Sequence, residues 1–229
     1  NVAVLRQTIL QLAVQGRLGT QDEQDEPAGV LQEKLRIDRE QLVKRKLIRE
    51  EDLGGPIKDS EKIYRVPNNW KWIRFGDEIF VIRGGSPRPK GDPQYFSSTP
   101  TKHHWIKISD IRKYSDGIHL SNTDEYLTDE GVKHSVPVQK GTLVLTNSAT
   151  IGVPIFLDID GCIHDGYLAF PFLKDSLIDR KFLFYFFKSL KSHLEAKASG
   201  GCQLNLNRSS VKNLAFPLPP LTEQHRIVA

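Results

Sequence analysis

Nine side chains between residues 83 and 113 can carry positive charge: Arg83, Arg88, Lys90, Lys102, His103, His104, Lys107, Arg112 and Lys113. In residues 83–114 only Asp92 and Asp110 oppose the seven Lys and Arg, a net charge of +5. A second basic stretch, 187–213, holds five basic residues against one acidic, net +4. Residues 115–186 between them hold five basic against ten acidic, net −5. Guanidinium and ammonium groups in clusters grip phosphate, so convergence of the two basic stretches would make one positive face suited to phosphate. The competing reading is ordinary solvated charge. Neutral polar residues accompany the cations: Ser86 in the first stretch, Asn147, Ser148 and Thr150 in a polar turn, and Ser199, Gln203, Asn205 and Asn207 beside Arg208. Arg suits guanine, Asn and Gln suit adenine, and apolar groups suit the thymine methyl. Lys and Ser contacts mostly hold phosphate and set register.

Other chemistry is missing. There is no G-x-x-x-x-G-K-[ST] phosphate loop, no G-x-G-x-x-G after a strand and no G-x-S-x-G elbow. Leu218-Pro219-Pro220-Leu221 lacks the polar amide and the aromatic of an adenine methyltransferase motif. Cys162, His164 and Cys202 are three possible metal ligands without a C-x-x-C pair, a weak zinc signal. Glu195-Ala196-Lys197 matches the tail of a nuclease metal motif without an obvious partner carboxylate. No catalytic residue, metal or cofactor is therefore expected.

The elements that position these residues change texture along the chain. Leu5, Ile9, Leu12 and Ala13 recur at helical spacing with Gly16 as a stop. A second helix is expected over 28–51, with Leu31, Leu35, Leu42 and Leu47 as its apolar positions and Gly54-Gly55-Pro56 as its end. The leucines of both helices read as packing residues for another subunit's helix or for a spacer helix. From Val66 short β-rich runs take over: 70–75, 79–83, 104–108, 142–146, 153–157 and 167–170. Long polar loops, 84–101 and 113–128, separate them. A third helix is expected over 179–198 with Asp179 as its cap, then a strand at 214–216 and a final helix capped by Thr222. The fold class is α+β: a β-rich globular domain with helices at its flanks. The expected division is a helical arm at 1–60, a central domain at 61–216 and the start of a helix at 217–229. No internal repeat is apparent.

Several residues have bland readings. Gly84-Gly85-Ser86-Pro87 reads first as a turn whose glycines adopt positive φ. Asn207 can cap a following helical turn. Trp70, Trp72 and Trp105 read as core rather than stacking platforms.

The 229 residues are 38% hydrophobic and 26% charged, which excludes wholesale disorder. No apolar run reaches the roughly 18 residues of a membrane-spanning helix. Arg6 and Gln7 interrupt the first apolar stretch, so it does not read as a signal peptide. Two cysteines exclude a disulfide scaffold and suit a reducing cytoplasm. The lack of methionine suggests a trimmed fragment.

Three blocks carry a resemblance: Leu5-Arg6-Gln7-Thr8-Ile9-Leu10-Gln11-Leu12-Ala13-Val14-Gln15-Gly16-Arg17-Leu18; Pro67-Asn68-Asn69-Trp70-Lys71-Trp72-Ile73-Arg74-Phe75-Gly76-Asp77 with Gly84-Gly85-Ser86-Pro87 and Trp105-Ile106-Lys107-Ile108-Ser109-Asp110-Ile111; and Ala198-Ser199-Gly200-Gly201 through Leu204-Asn205-Leu206-Asn207-Arg208-Ser209-Ser210-Val211-Lys212-Asn213-Leu214, then Phe216-Pro217-Leu218-Pro219-Pro220-Leu221-Thr222-Glu223-Gln224. In this order they resemble one half of the specificity subunit of type I restriction–modification systems. The resemblance implies a single target recognition domain with helical flanks that reads one half of a split double-stranded DNA site. It implies a non-catalytic subunit whose partners are DNA adenine methyltransferase subunits and restriction or translocase subunits, with no membrane. The chain departs from the family pattern in having no second recognition domain and almost none of the spacer helix. Two alternatives stand beside it: a metal-dependent nuclease acting through Glu195, and an interaction scaffold without DNA affinity.

Overall fold

The computed structural model describes residues 2–148, 151–198 and 206–229. In chain order, α1 (Val2–Val14), α2 (Ala28–Lys44), β1 (Lys71–Arg74) and α3 (Phe75–Glu78) come first. There follow β2 (Ile82–Arg83), β3 (Phe96–Ser97), β4 (His104–Ile106), α4 (Asp110–Tyr114), β5 (His119–Leu120), β6 (Glu125–Leu127), α5 (Asp129–Lys133) and β7 (Val136–Val138). Then come β8 (Leu143–Thr146), β9 (Pro154–Leu157), β10 (Gly161–Ile163) and β11 (Tyr167–Phe170). The chain closes with α6 (Arg180–Ala198), α7 (Arg208–Lys212), β12 (Ala215–Leu218) and α8 (Leu221–Val228). The mixture of helices and mixed sheets is α+β, as the sequence predicts. Among the described residues no helix is long and apolar enough to cross a membrane.

Two compact units share the chain. One comprises Asn1–Phe80, Phe172–Lys197 and Ser209–Ala229, the other Val81–Pro171 and Ala198–Arg208. The units are discontinuous in sequence, unlike the linear division at residues 60 and 216.

In the first unit β1 pairs antiparallel with β12, placing Ile73 opposite Phe216. The α6 stripe packs onto this ribbon: Phe186 and Phe216 meet edge to face at 4.7 Å, and Phe75 meets Phe187 and Phe216 at 5.6 Å each. Such edge-to-face pairs add to the burial of the rings themselves. Asp179 caps α6 as expected, accepting from the Lys181 and Phe182 amides at 2.7 and 3.0 Å. Helix α1 stops at Gly16, whose φ of 67° lets its amide reach the Ala13 carbonyl while Arg17 reaches that of Leu12.

Three expectations need correction. Helix α2 ends at Lys44 rather than at residue 51, because Lys46 turns to φ 58° and Leu47 donates back to the Leu42 carbonyl. Its leucines Leu31, Leu35 and Leu42 are buried within this chain and not reserved for another subunit, whereas Leu5 and Ile9 of α1 are exposed. Thr222 does not cap α8: Pro220 holds the cap position, and the Thr222 hydroxyl donates to Asp25.

The second unit holds two five-stranded sheets, β3-β6-β4-β10-β7 and β2-β11-β8-β9-β5. Pairing is antiparallel except for β4 with β10 and β5 with β9, which are parallel. Ile106, Val138 and Ile163 of the first sheet join Leu120, Val144, Ile155, Leu157, Tyr167 and Ala169 of the second in one core. The alternate residues Trp105, Leu127 and Cys162 form a separate cluster, as the period of two in a strand requires. Trp70 and Trp105 are buried core, as read from the sequence, and Trp72 is half-buried against Tyr64.

Candidate nucleic-acid interface

Strand register in the second unit decides which polar residues meet. Strands β4 and β10 run parallel with Ile106 opposite Ile163, so the residues that follow them, Lys107 and His164, emerge at the same end of the sheet. In the other sheet Tyr167 at the start of β11 stands opposite Thr146 at the end of β8, and Leu168 opposite Arg83 at the end of β2. Asn147, Ser148, Arg83 and the loop after Arg83 therefore leave from the edge at which β11 begins. The turn His164–Gly166 joins β10 to β11 and links the two sheets at this point.

Asp165 is the centre of the cluster. Ser86 Oγ donates to its Oδ1 at 2.8 Å, Arg83 Nε donates to its carbonyl at 3.0 Å, and the Arg83 and Arg88 guanidinium groups stand 3.8 and 3.9 Å from its Oδ2. Burial by itself would raise the Asp165 carboxyl. The Ser86 hydrogen bond and the charges of His164, Arg83 and Arg88 hold it below the ordinary range instead. His164 titrates below its ordinary value, first through burial and further through the charges of Arg88, Lys90 and Lys107, with Asp165 opposing them. Two exposed cations, Arg83 and Arg88, thus share one carboxylate, and the exposed Lys90 adds its charge near His164.

The scaffold beneath is tight. A Cβ on Gly84 would stand 2.1 Å from the His164 carbonyl oxygen. The glycine is demanded by close approach, not by the positive φ the sequence suggested, since Gly84 is absent from the positive-φ glycines. Lys107 is fixed through its backbone: its amide donates to Asp110 Oδ2 at 2.7 Å and its carbonyl accepts from Tyr167 Oη at 3.1 Å. The Lys107 ammonium pairs with Glu125. The Asn147 amide donates to the Gly166 carbonyl at 2.8 Å, and a Cβ on Gly166 would meet Ser148 Oγ at 2.6 Å. Arg208 Nε donates to the Val81 carbonyl at 2.7 Å, which places this one residue of the second basic stretch beside the start of the first, while Lys188, Lys191, Lys197 and Lys212 belong to the other unit.

The structure thus gathers Arg83, Ser86, Arg88, Lys90, Lys107, Asn147 and Ser148 about His164–Gly166, and places other predicted residues elsewhere. His104 stands at the opposite end of β4 from Lys107, where its Nδ1 bonds Thr123 Oγ1 at 2.9 Å and its ring lies on Tyr126. Lys102 and His103 both face Asp129, at 3.9 and 2.7 Å. Lys113 is paired with Asp124, and Arg112 is exposed on α4. Asn207 is exposed directly before α7, the position a cap would take. Thr150, Ser199, Gln203 and Asn205 lie outside the described residues, as do Cys202 and the Glu195 side chain. Cys162 is buried, its thiol pushed up to about 11, chiefly by burial. Among the described residues no group of three His, Cys, Asp or Glu side chains stands together as a metal site.

Sequence reasoning missed His164 and Asp165 as members of this site. Their only signal was a His-Asp-Gly turn after an apolar run, and His164 was weighed only as a metal ligand.

The two-sheet scaffold presents cations and neutral polar side chains at one edge, an arrangement suited to an anionic partner. Comparison with known proteins gives the family. The chain belongs to the type I restriction modification DNA specificity domain family, whose model matches residues 67–229. It is 30% identical to the specificity subunit of the type I restriction enzyme EcoAI of Escherichia coli, over 98% of this chain and 38% of that protein. It is 25% identical to the EcoEI specificity subunit of the same organism, over 100% of this chain and 39% of that protein. The chain therefore spans less than two-fifths of the length of these relatives. Its fold is similar to that of a chain from a type I restriction–modification system solved for its complex assembly and conformational transition (TM-score 0.56, 20% identity, 99% of this chain and 47% of that one). The HsdS subunit from Thermoanaerobacter tengcongensis is similar as well (TM-score 0.52, 22% identity, 88% of this chain and 46% of that one).

Proposed function

We propose that this chain is a sequence-specific double-stranded DNA recognition module of a type I restriction–modification enzyme. It reads one half of a bipartite site and directs methyltransferase and restriction subunits there. The observation that carries the reading is the convergence of Arg83, Ser86, Arg88, Lys90, Lys107, Asn147 and Ser148 around one turn. Cations there hold phosphate, and the neutral polar groups reach base edges. Lys102, His103, His104, Arg112 and Lys113 stay in the wider proposed contact set as outlying backbone contacts, with Thr150, Ser199, Gln203, Asn205, Asn207 and Arg208 completing it. The reading part is the unit built on residues 81–171, within the broader 61–216 domain; residues 1–60 flank it and residues 217–229 begin a spacer helix. Binding is the whole of its chemistry, and base flipping and methyl transfer belong to the partner subunit. The compartment we propose is the cytoplasm.

The test is to build the chain into an intact specificity subunit, assemble it with a methyltransferase partner and map methylated adenines in random DNA. Exchange of loop 83–90 is expected to change one half of the methylated motif. Methylation that ignores the exchange counts against the residue assignment, and assembly-free DNA cleavage by the chain would overturn the binding-only reading.

A further inference from the structure

We propose that His164 is a specificity-determining residue that donates a hydrogen bond from Nε2 to an acceptor on a base edge. The inference rests on the DNA-reading function above and deepens it. Nδ1 of His164 lies 2.9 Å from the Gly166 amide, which donates to it, and 3.0 Å from Asp165 Oδ1. A nitrogen that accepts from Gly166 carries no hydrogen, so in the neutral ring the hydrogen is on Nε2. If the ring gains a proton, Nδ1–H turns to Asp165 and Nε2 still carries its own. Both states present a donor at Nε2, and among the described residues no protein group accepts it.

The donor is pre-aimed. The His164 amide donates to the Ile106 carbonyl at 3.0 Å, and the His164 carbonyl accepts from Tyr167 at 3.0 Å and lies against Gly84. The ring rests 5.7 Å from the buried Trp105 ring, with the side chain 36% exposed. Fixing a donor before binding lowers the ordering cost of the complex. Arg83, Arg88 and Lys90 are there to grip phosphate, and Arg88, Lys90 and Lys107 disfavour a further charge on the ring. A neutral, directional donor among cations is suited to guanine N7 or O6, adenine N7 or thymine O4 in the major groove.

The purely structural alternative is that His164 only closes its turn. Asn at this position separates the two, because its Oδ1 can still accept from Gly166 while nothing reaches as far as Nε2. Selection from a random duplex library is made with the unaltered chain, His164→Asn and His164→Gln. The unaltered chain enriches a short motif. His164→Asn melts close to it yet loses discrimination at one base pair by about 5- to 100-fold. His164→Gln moves the preference at that same pair toward adenine, a gain that misfolding cannot mimic. A full motif retained by both variants overturns the proposal while leaving the DNA reading intact. Uniform weakening over all sequences, with a shallower salt dependence, also overturns it by making His164 a phosphate contact. An unaltered chain that enriches nothing overturns the DNA reading and this inference together.

Discussion

The two ends of β4 bear similar residues and treat charge in opposite ways. At the end before His104, Lys102 and His103 share Asp129, and His104 is spent on Thr123. At the end after Ile106, the Arg83 and Arg88 guanidinium groups share the carboxylate of Asp165, with Lys90 exposed on the same loop and His164 held below its ordinary pKa. Composition cannot separate the two ends, since both are basic. What separates them is the setting of the acid: the Asp129 side chain is 85% exposed, whereas that of Asp165 is 31% exposed and bonded to Ser86 on the turn between the two sheets. Paired exposed charges contribute little to stability. Surplus charge held on a rigid turn remains available to a polyanion.

Breaking the rigid turn gives the largest effect. Gly84→Ala drives a methyl into the His164 carbonyl, and overpacking against backbone costs about 1–3 kcal/mol or more. Thermal unfolding is expected to show that loss together with loss of DNA binding. Unchanged melting would mean the two sheets are not joined as described.

Removing the shared acid sharpens the contrast. Asp165→Asn is expected to steepen the dependence of log affinity on log salt by about 0.9, one phosphate's worth, and to narrow the preference among sequences, because the Arg83 and Arg88 guanidinium groups lose the negative charge they share. Asp129→Asn at the other end is expected to change both quantities by less, since Lys102 and His103 are only outlying contacts. Equal effects from the two substitutions would erase the distinction.

The smallest effect is in acid. Burial lowers the pKa of both His104 and His164 below the ordinary histidine value of 6.5. The unfolded chain therefore binds more protons just below pH 6.5, and stability falls as pH drops through that value toward the folded pKa. Melting temperature measured from pH 7.5 down to 5.5 is expected to decline less in His104→Gln than in the unaltered chain. Parallel curves would show that His104 is not held neutral.

Legibility from sequence followed range. Helices α1 and α6, the strand at 167–170 and the buried tryptophans announce themselves through local periodicity and composition. Arg83, Ser86 and Arg88 were legible as a polar, basic loop. His164 and Asp165 were not, since their partners lie about 80 residues earlier and only the passage of the chain from one sheet to the other brings them together. The stretch 83–113 reads as one basic segment, yet the three residues of β4 advance about 3.3 Å each and carry Lys102–His104 and Lys107 to opposite ends. The end of α2 was misplaced because a lysine in the left-handed region stopped it, which no glycine or proline signalled.

The central claim is tested most directly by salt titration of duplex binding for three proteins: the unaltered chain, the double variant Arg83→Ala/Arg88→Ala, and the double variant Lys102→Ala/Lys113→Ala. The account predicts that the first pair of substitutions lowers the slope of log affinity against log salt by about 1.8, close to two phosphate contacts, while the second pair changes it by much less. Equal losses from the two pairs, or a slope that neither alters, would contradict it.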